Sequence, residues 1–341
     1  MSNKNLLILG DTSTPEALGS KLERGFNELK ISKRWTLTIS YNSPAEKYSP
    51  SMKYIAGKIF YKLNDKRSWE WNKYQKDLID LISSLKPDLV LATGVLPLKE
   101  KVFKAIHKYN GYIANYLTDD PWNPIHKRKC FLSSLKHYDH IFSTKKKLGE
   151  ILVTRENISA SWLPFAYDPY LHHPIETAYN SDVVFIGTGD RERLPWLNAL
   201  DDLTSLQKTI HGNSWKRLKT PGWQKYPEVQ GEDYCKAISG AKIVLGLLRA
   251  ANGDLSTDRS YEIGAIGGCG LYQDTKEHRD LLPGYPDIGF FKDPDELREK
   301  VQKLIGDENI QSKMRTIGSQ AMQKQGNTYS DRLKTMLEWQ Y

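Results

Sequence analysis

The chain of 341 residues carries a net charge of +8 and has a pI near 9.0, with 39% hydrophobic and 26% charged residues. The length predicts two domains, and the composition is ordinary for a globular protein. Three cysteines exclude a disulfide framework and a paired-cysteine zinc site. No apolar run reaches the roughly 20 residues of a membrane span, and the apolar start at residues 6–9 is too short for a signal peptide. We therefore expect a cytoplasmic protein.

The positive charge indicates affinity for phosphate, either in a nucleotide ligand, in anionic lipid or in nucleic acid. Basic clusters occur at residues 127–129 and 145–147, and neither alternates with the aromatic residues on which single strands stack. No zinc-finger, KH or RRM signature is present. We expect no nucleic-acid partner. A solvated basic surface is an equal alternative, and peripheral contact with a membrane stays open.

The first half alternates apolar runs with helical patterns, which is typical of a doubly wound α/β sheet. Residues 6–9 predict a buried first strand, and the apolar positions from Leu18 to Leu29 predict a helix after it. Further strands are predicted at 35–41, 89–92, 112–116 and 140–143, and further helices at 74–85, 101–109 and 145–152.

An irregular stretch rich in proline and aromatic residues, 162–169, predicts the connection to a second half in which the alternation resumes. Its strands are predicted at 182–186, 207–210, 241–248 and 270–272, and its helices at 194–203, 234–239, 259–266, 295–305 and from 307 to the end. Two such halves predict Rossmann-like domains facing a cleft, with ligands outside the carboxyl ends of the strands. The predicted domains are 1–168 and 169–325, with a final helix, 326–341, packing back on the first.

Glycines follow the opening strand of each half but form no known cofactor fingerprint. Gly10 lacks a following G-x-x-G, and Gly187-Thr188-Gly189 has no glycine three residues later. No Walker A sequence is present. These absences disfavour a classical NAD enzyme and a P-loop protein, and we expect no cofactor.

The strongest chemical signal lies in residues 254–270. Arg259 and Glu262 stand at a loop-to-helix junction, where backbone N–H groups and the helix dipole favour an anion. Glu262 could accept hydrogen bonds from a ribose diol with both carboxylate oxygens. The alternative is a surface pair at i,i+3, worth about 0.2–0.5 kcal/mol.

The order of several motifs resembles the C-terminal domain of GT-B glycosyltransferases, and most closely that of the CgeB-like proteins, named after a spore maturation protein. The matching stretches are 163–168, 185–188 with Arg191 and Arg193, 210–212 with Trp215, 259–268 and 293–297. Ala166 replaces the glycine of the linker pattern L-P-x-G-x-D. The resemblance covers residues 160–305 well and the N-terminal half loosely.

The resemblance implies metal-independent transfer of a sugar from a UDP-, GDP- or dTDP-sugar to a hydroxyl acceptor on a glycan, a lipid-linked molecule or a protein. It implies that Glu262 holds the ribose and that Asp254, eight positions earlier, contacts the donor sugar. Arg191 or Arg193 would balance the charge of the diphosphate. The remaining implied donor-site residues are Gly187, His211, Gly212, Ser256, Thr257 and Arg259.

Asp119 and Asp120 follow a predicted strand of the first half, so they are candidate catalytic residues facing the cleft. Either could be the general base of an inverting reaction or contact the sugar in a retaining one. A plain turn before Pro121 is the alternative. The spacing of Asp254 and Glu262 favours retention, but the stereochemistry stays open.

We expect no metal site, because His126, His172 and His173 show no ligand spacing with other metal-binding side chains. Acceptor specificity is expected in residues 41–65. Two other functions stay open: a nucleotide-sugar epimerase of the same fold, and an inactive nucleotide- or glycan-binding module.

Overall fold

The computed structural model describes residues 5–31, 34–38, 52–67, 71–324 and 326–339. They form two compact units. The first comprises Met1–Pro164 with Leu333–Tyr341, and the second comprises Phe165–Arg332. The boundaries between the units along the chain lie at 164/165 and 332/333 and differ from the predicted boundaries at 168 and 325.

The first unit is built on six parallel strands. They are β1 (Leu6–Gly10), β2 (Arg34–Thr38), β3 (Leu89–Thr93), β4 (Tyr112–Leu117), β5 (His140–Ser143) and β6 (Ala160–Trp162), in the order β2-β1-β3-β4-β5-β6. The described helices are α1 (Leu18–Glu28), α2 (Met52–Leu63), α3 (Trp71–Leu85), α4 (Glu100–His107), α5 (Lys129–Ser134) and α6 (Lys146–Thr154). All residues of β1 and β3 are buried, as expected for a parallel sheet covered on both faces.

The second unit repeats this plan. Its strands are β7 (Ser181–Ile186), β8 (Lys208–His211), β9 (Gln224–Tyr226), β10 (Ala241–Gly246), β11 (Gly270–Gln273) and β12 (Phe290–Phe291), in the order β12-β11-β10-β7-β8-β9. Its helices are α7 (Leu194–Asn198), α8 (Gly231–Ser239), α9 (Asp258–Ala265), α10 (Lys276–Leu281), α11 (Pro294–Leu304) and α12 (Glu308–Gln323). The prediction of two doubly wound α/β halves is confirmed, and the cleft between them stays a prediction.

A last helix, α13 (Tyr329–Glu338), runs from the second unit into the first. Trp339, which follows it, stacks on His140 of β5 with ring centroids 4.1 Å apart. None of the helices within the described ranges combines the length and the hydrophobicity needed to cross a bilayer.

Four local predictions were wrong or incomplete. The helix predicted at 194–203 ends at Asn198, because the following residues turn and the Asp201 carboxylate accepts the N–H of Gly222 at 3.2 Å. The helical tail is interrupted near Gly326, whose φ is +100°. Strands β6, β9 and β12 were not predicted, since they have only two or three residues each and no apolar alternation. Helix α2 occupies much of the stretch 41–65 that was expected to determine acceptor specificity, and residues 41–51 of that stretch lie outside the described residues. Residues 39–41 of the strand predicted at 35–41 also lie outside the described residues.

Candidate functional site

The second sheet reverses its winding at β7. Strand β8 pairs with β7 on one side and β10 pairs with it on the other, so the chain leaves β7 in one direction and returns to the opposite edge. In open α/β sheets, ligands bind at such a switch point, outside the carboxyl ends of the strands. In this unit the switch point brings together Gly187 after β7, Arg249 after β10 and the beginning of α9.

Two arginines converge on the glycine that ends β7. A Cβ placed on Gly187 would lie 3.2 Å from Nη1 of Arg193 and 3.4 Å from Nη1 of Arg259. Arg193 is buried and donates from Nη1 to the Thr188 carbonyl oxygen at 2.7 Å. The Nε atoms of both arginines are buried without a hydrogen-bond partner. The site therefore offers unused guanidinium donors at the mouth of the sheet.

The electrostatics of this cluster favour an anion. The pKa of Arg193 is lowered to about 10, first by burial and then by the positive charges of Arg259 and Arg249. At neutral pH Arg193 is still protonated, and a bound anion would stabilise its charge. The pKa of Arg259 is raised in spite of burial, because Tyr234, Asp258 and Glu262 stabilise the charge of that arginine. Asp190 and Asp254 oppose the shift in the pKa of Arg193 only in part. Arg249 was not predicted, although its place after an apolar strand was a usable signal.

Helix α9 carries Arg259 and Glu262, and its start is fixed by a chain of hydrogen bonds. The Thr257 N–H donates to Ser260 Oγ at 3.0 Å, and the Ser260 hydroxyl contacts His278 Nε2 at 2.8 Å. His278 Nδ1 must donate to the Gln273 carbonyl oxygen at 2.6 Å, so Nε2 of the neutral ring accepts from Ser260. Burial lowers the pKa of His278 to about 4, which keeps the ring neutral. Thr257 is the N-cap of α9, which starts one residue before the predicted helix at 259–266.

Two other predicted donor residues have partners within the second unit. Ser256 is buried, and its hydroxyl donates to Glu277 Oε2 at 2.6 Å, so its hydrogen is not available to a phosphate. Asp254 is also buried, and its two oxygens accept from Asn252 Nδ2 at 3.0 and 3.3 Å. Asp254 lies close enough to Arg193 to raise the pKa of that arginine. Ser256 therefore stabilises the loop before α9 through Glu277, and Asp254 lies near Arg193.

Glu262 lies in the interior, with 5% of its surface exposed, so the alternative of an exposed surface pair with Arg259 is wrong. Oε2 accepts the Tyr234 hydroxyl at 2.7 Å, and Oε1 lies 3.3 Å from His172 Nε2. The Asp168 N–H donates to His172 Nδ1 at 3.1 Å, so in the neutral ring Nε2 carries the hydrogen and donates to Glu262. Both carboxylate oxygens are therefore oriented by the protein. Sequence reasoning missed this role of His172 and Tyr234, because the partners are distant in sequence.

Hydrogen bonds connect the loops that follow β7 and β8. Gly187 donates its N–H to the His211 carbonyl oxygen at 2.8 Å and accepts from Trp215 Nε1 at 2.7 Å. A Cβ on Gly212 would lie 2.1 Å from the Gly187 carbonyl oxygen, so only glycine fits there. The His211 ring stacks on Tyr226 with centroids 5.1 Å apart. Beside this stack, residues 212–217 and 225–227 line an open cavity of about 560 Å³.

The remaining predicted residues lie elsewhere. Arg191 is exposed at the start of a short 3-10 turn. Asp119 and Asp120 follow β4 in the first unit. Asp119 Oδ1 lies 3.5 Å from His126 Nε2, and Asp120 Oδ1 accepts the Trp122 N–H at 2.8 Å, which is the geometry of a turn. Within the described ranges, no group of three or more histidine, cysteine, aspartate or glutamate side chains could hold a metal ion.

Two parallel six-stranded sheets covered by helices are the architecture of the GT-B fold, which the solved structures reported below share. Residues 191–338 match the sequence profile of a family described as "Glycosyl transferase-like". A comparison with curated protein sequences yields no match.

Solved structures share the fold at low identity. T4 phage BGT, a beta-glucosyltransferase, in complex with its UDP-glucose substrate has 13% identity and a TM-score of 0.58, with 98% of each chain covered. Staphylococcus aureus MnaA with UDP has 12% identity and a TM-score of 0.56, over 98% of this chain and 95% of that one. An S. aureus TarM variant bound to fondaparinux, alpha-GlcNAc-glycerol and UDP has 10% identity and a TM-score of 0.55, over 76% and 57%.

Proposed function

We propose that this chain is a glycosyltransferase that moves a hexosyl group from a nucleoside diphosphate sugar to a hydroxyl acceptor, without a metal ion or a bound cofactor. The convergence of Arg193 and Arg259 on Gly187, with a buried unpartnered Nε in each, is the observation that carries the proposal. The glycosyltransferase-like profile over residues 191–338 supports it, as do fold neighbours whose structures contain UDP or UDP-glucose.

The chemistry follows from where charge develops. As the bond between the anomeric carbon and the diphosphate breaks, negative charge accumulates on the leaving phosphate oxygens. Guanidinium groups placed at that point stabilise the charge more in the transition state than in the bound donor. Arg193 and Arg259 have this role in the proposal, Thr257 supports the helix N-terminus beside the diphosphate, and Glu262 accepts from the ribose. Asp254 would contact the sugar from its place near Arg193.

The acceptor side is assigned to the first unit. Asp119 is the better candidate for a general base or a sugar contact, because Asp120 already holds the turn through the Trp122 N–H. The proposal leaves inversion and retention open. We also propose that the chain is most similar to the CgeB-like proteins among the GT-B glycosyltransferases and that it acts in the cytoplasm.

The decisive experiment is calorimetric titration with UDP, GDP and dTDP, with uridine, guanosine and thymidine as controls that lack the pyrophosphate. We expect one diphosphate to bind and its nucleoside to bind far more weakly, because the arginine cluster contacts phosphate. A ligand at 100 times its dissociation constant would add about 2.7 kcal/mol to the free energy of unfolding. Absence of binding by every nucleoside diphosphate would contradict the proposal.

Analysis of the reaction products distinguishes a glycosyltransferase from the two alternatives, an epimerase of the same fold and an inactive binding module. An epimerase converts the donor sugar without an acceptor, whereas a transferase releases nucleoside diphosphate in proportion to glycosylated acceptor. A binding module would bind the diphosphate and produce neither.

A further inference from the structure

The first unit carries an exposed surface that is both apolar and basic. It comprises the C-terminal part of α2 and the loop before α5, and we call it the basic–apolar patch. Its members are Ile59, Leu63 and Ile125 with Lys62, Lys127 and Lys129, all of which are exposed.

The three apolar side chains are unusually open to solvent. Ile59 is 55% exposed, Leu63 is 79% exposed and Ile125 is 69% exposed. Ile59 and Leu63 are four residues apart on α2, so they lie on the same face of the helix. Single exposed apolar residues are ordinary, but several on one surface mark an interaction site.

Hydrogen bonds hold the helix end and the loop together. Lys66, which follows α2, donates from Nζ to the carbonyl oxygens of Pro124 at 2.9 Å and Ile125 at 2.6 Å. The Asp65 carboxylate accepts the N–H groups of Lys129 at 2.7 Å and Cys130 at 2.8 Å. The residues that follow α2 and the loop before α5 are therefore held together although they are distant in sequence.

The basic–apolar patch and its flanking residues are positively charged. Residues 52–67 and 124–130 contain eight lysines and arginines and a single acidic residue, Asp65, whose carboxylate is engaged by backbone N–H groups. In the described part of the chain, the ammonium groups of Lys62, Lys127 and Lys129 form no ion pair. Burial and the nearby Arg128 lower the pKa of Lys66, as expected where cations are crowded.

We propose that the basic–apolar patch binds the surface of an anionic lipid bilayer. The lysines would contact the phosphate headgroups, and Ile59, Leu63 and Ile125 would enter the interface between headgroups and acyl chains. Stable attachment of a peripheral protein needs two such weak signals together, apolar insertion and basic charge. A second copy of the chain would bring like charges together, and a polynucleotide would leave the apolar side chains in water.

The patch adjoins the candidate acceptor residues of the same unit. His126, between Ile125 and Lys127, lies with Nε2 3.5 Å from Asp119 Oδ1. If Asp119 serves the acceptor as proposed above, attachment at the patch would bring that carboxylate close to lipid-linked acceptors. The membrane contact itself does not depend on the proposed function, and its test requires no sugar donor.

The test is co-sedimentation of the full chain with phosphatidylcholine vesicles, with and without phosphatidylglycerol, at low and high salt. We expect binding only to the anionic vesicles and weaker binding at high salt. Each lysine removed from the patch should lower the partition coefficient about fivefold, so Lys127→Gln with Lys129→Gln should lower it roughly 25-fold. Lys146→Gln with Lys147→Gln is the matched control, because it removes the same charge from exposed positions on α6.

The apolar contribution separates a membrane from a soluble polyanion. Leu63→Ser with Ile125→Ser should abolish vesicle binding and leave binding to heparin unchanged, whereas Val153→Ser, at a residue 48% exposed on α6, should change neither. Thermal melting checks that each variant folds, and the single change Leu63→Ser serves if the double variant does not. Equal vesicle binding by wild type and the apolar variants would overturn the proposal, as would an equal loss in the Lys146/Lys147 control.

Discussion

Arg193 and Arg259 reach the same glycine from different elements. Arg193 belongs to the 3-10 turn after β7 and Arg259 to the first turn of α9, yet their Nη1 atoms lie 3.2 and 3.4 Å from the position of a Cβ on Gly187. Two like charges this close destabilise each other unless an anion joins them. Burial opposes the charge on Arg259, but Tyr234, Asp258 and Glu262 raise the pKa of that arginine. The pKa of Arg193 is lowered, so a bound pyrophosphate would stabilise chiefly the charge on Arg193.

The first prediction tests this cluster. Arg193→Met should weaken binding of the preferred nucleoside diphosphate by about 10- to 100-fold, since a hydrogen bond to a charged group contributes about 1.5–3 kcal/mol. Calorimetry gives the dissociation constant. Arg191→Met is the control, because Arg191 lies in the same turn with its side chain exposed. A larger effect at Arg191 than at Arg193 would transfer the phosphate contact to Arg191.

The second prediction concerns the buried carboxylate. Tyr234→Phe should lower the free energy of unfolding by about 1–3 kcal/mol, because it leaves Oε2 of the buried Glu262 without its donor. Urea denaturation measures this. Tyr226→Phe removes a hydroxyl from an exposed ring and should change stability by less than about 0.5 kcal/mol. Equal effects of the two changes would show that Glu262 does not depend on Tyr234.

The third prediction concerns the close approach of two loops. Gly212→Ala should cost about 1–3 kcal/mol of stability, because its Cβ would lie 2.1 Å from the Gly187 carbonyl oxygen and force the loops apart. Diphosphate binding should weaken as well, since Gly187 is the centre of the arginine cluster. Gly306→Ala is the control, because a Cβ there meets no atom within 4 Å. A fully stable Gly212→Ala variant would contradict the loop geometry.

The fourth prediction is a dependence of stability on pH. Burial lowers the pKa of His278 to about 4 from about 6.5 in the unfolded chain. Between these values the unfolded chain binds more protons than the folded one, so stability is full above about pH 6.5 and falls as the pH drops towards 4, by at most about 3 kcal/mol.

His278→Gln should flatten this dependence in urea denaturation at about pH 7 and about pH 5. His173→Gln, at an exposed histidine, should leave the slope of wild type. An unchanged slope in His278→Gln would mean that the ring can be protonated without disturbing the start of α9.

The fifth prediction separates the two aspartates of the first unit. Asp119→Asn should reduce turnover and leave the dissociation constant for the diphosphate unchanged. Asp120→Ala should instead lower the melting temperature, because it removes the acceptor of the Trp122 N–H. Turnover with the identified donor, together with thermal melting, checks both. Loss of diphosphate binding in Asp119→Asn would refute the assignment of Asp119 to the acceptor side.

Local patterns in the sequence were sufficient to predict the architecture. Runs such as residues 6–9, 89–92 and 241–248 are apolar on both faces, and only a parallel sheet covered by helices buries both faces of a strand. The helix predicted at 259–266 corresponds to α9, which begins one residue earlier, at Asp258, and carries Arg259. These are local properties, set by spacing along the chain.

Which side chains contact each other depends on the packing of elements that are distant in sequence. Arg249 joins Arg193 because β10 and β7 are neighbours in the sheet, and His172 reaches Glu262 because the linker folds against α9. The structure also showed that the Ser256 hydroxyl is bound to Glu277 and that Lys66, after α2, is bound to the loop before α5. Periodicity fixes which face of an element is buried. The partner of a buried polar group depends on how elements pack, and that information is spread over the whole chain.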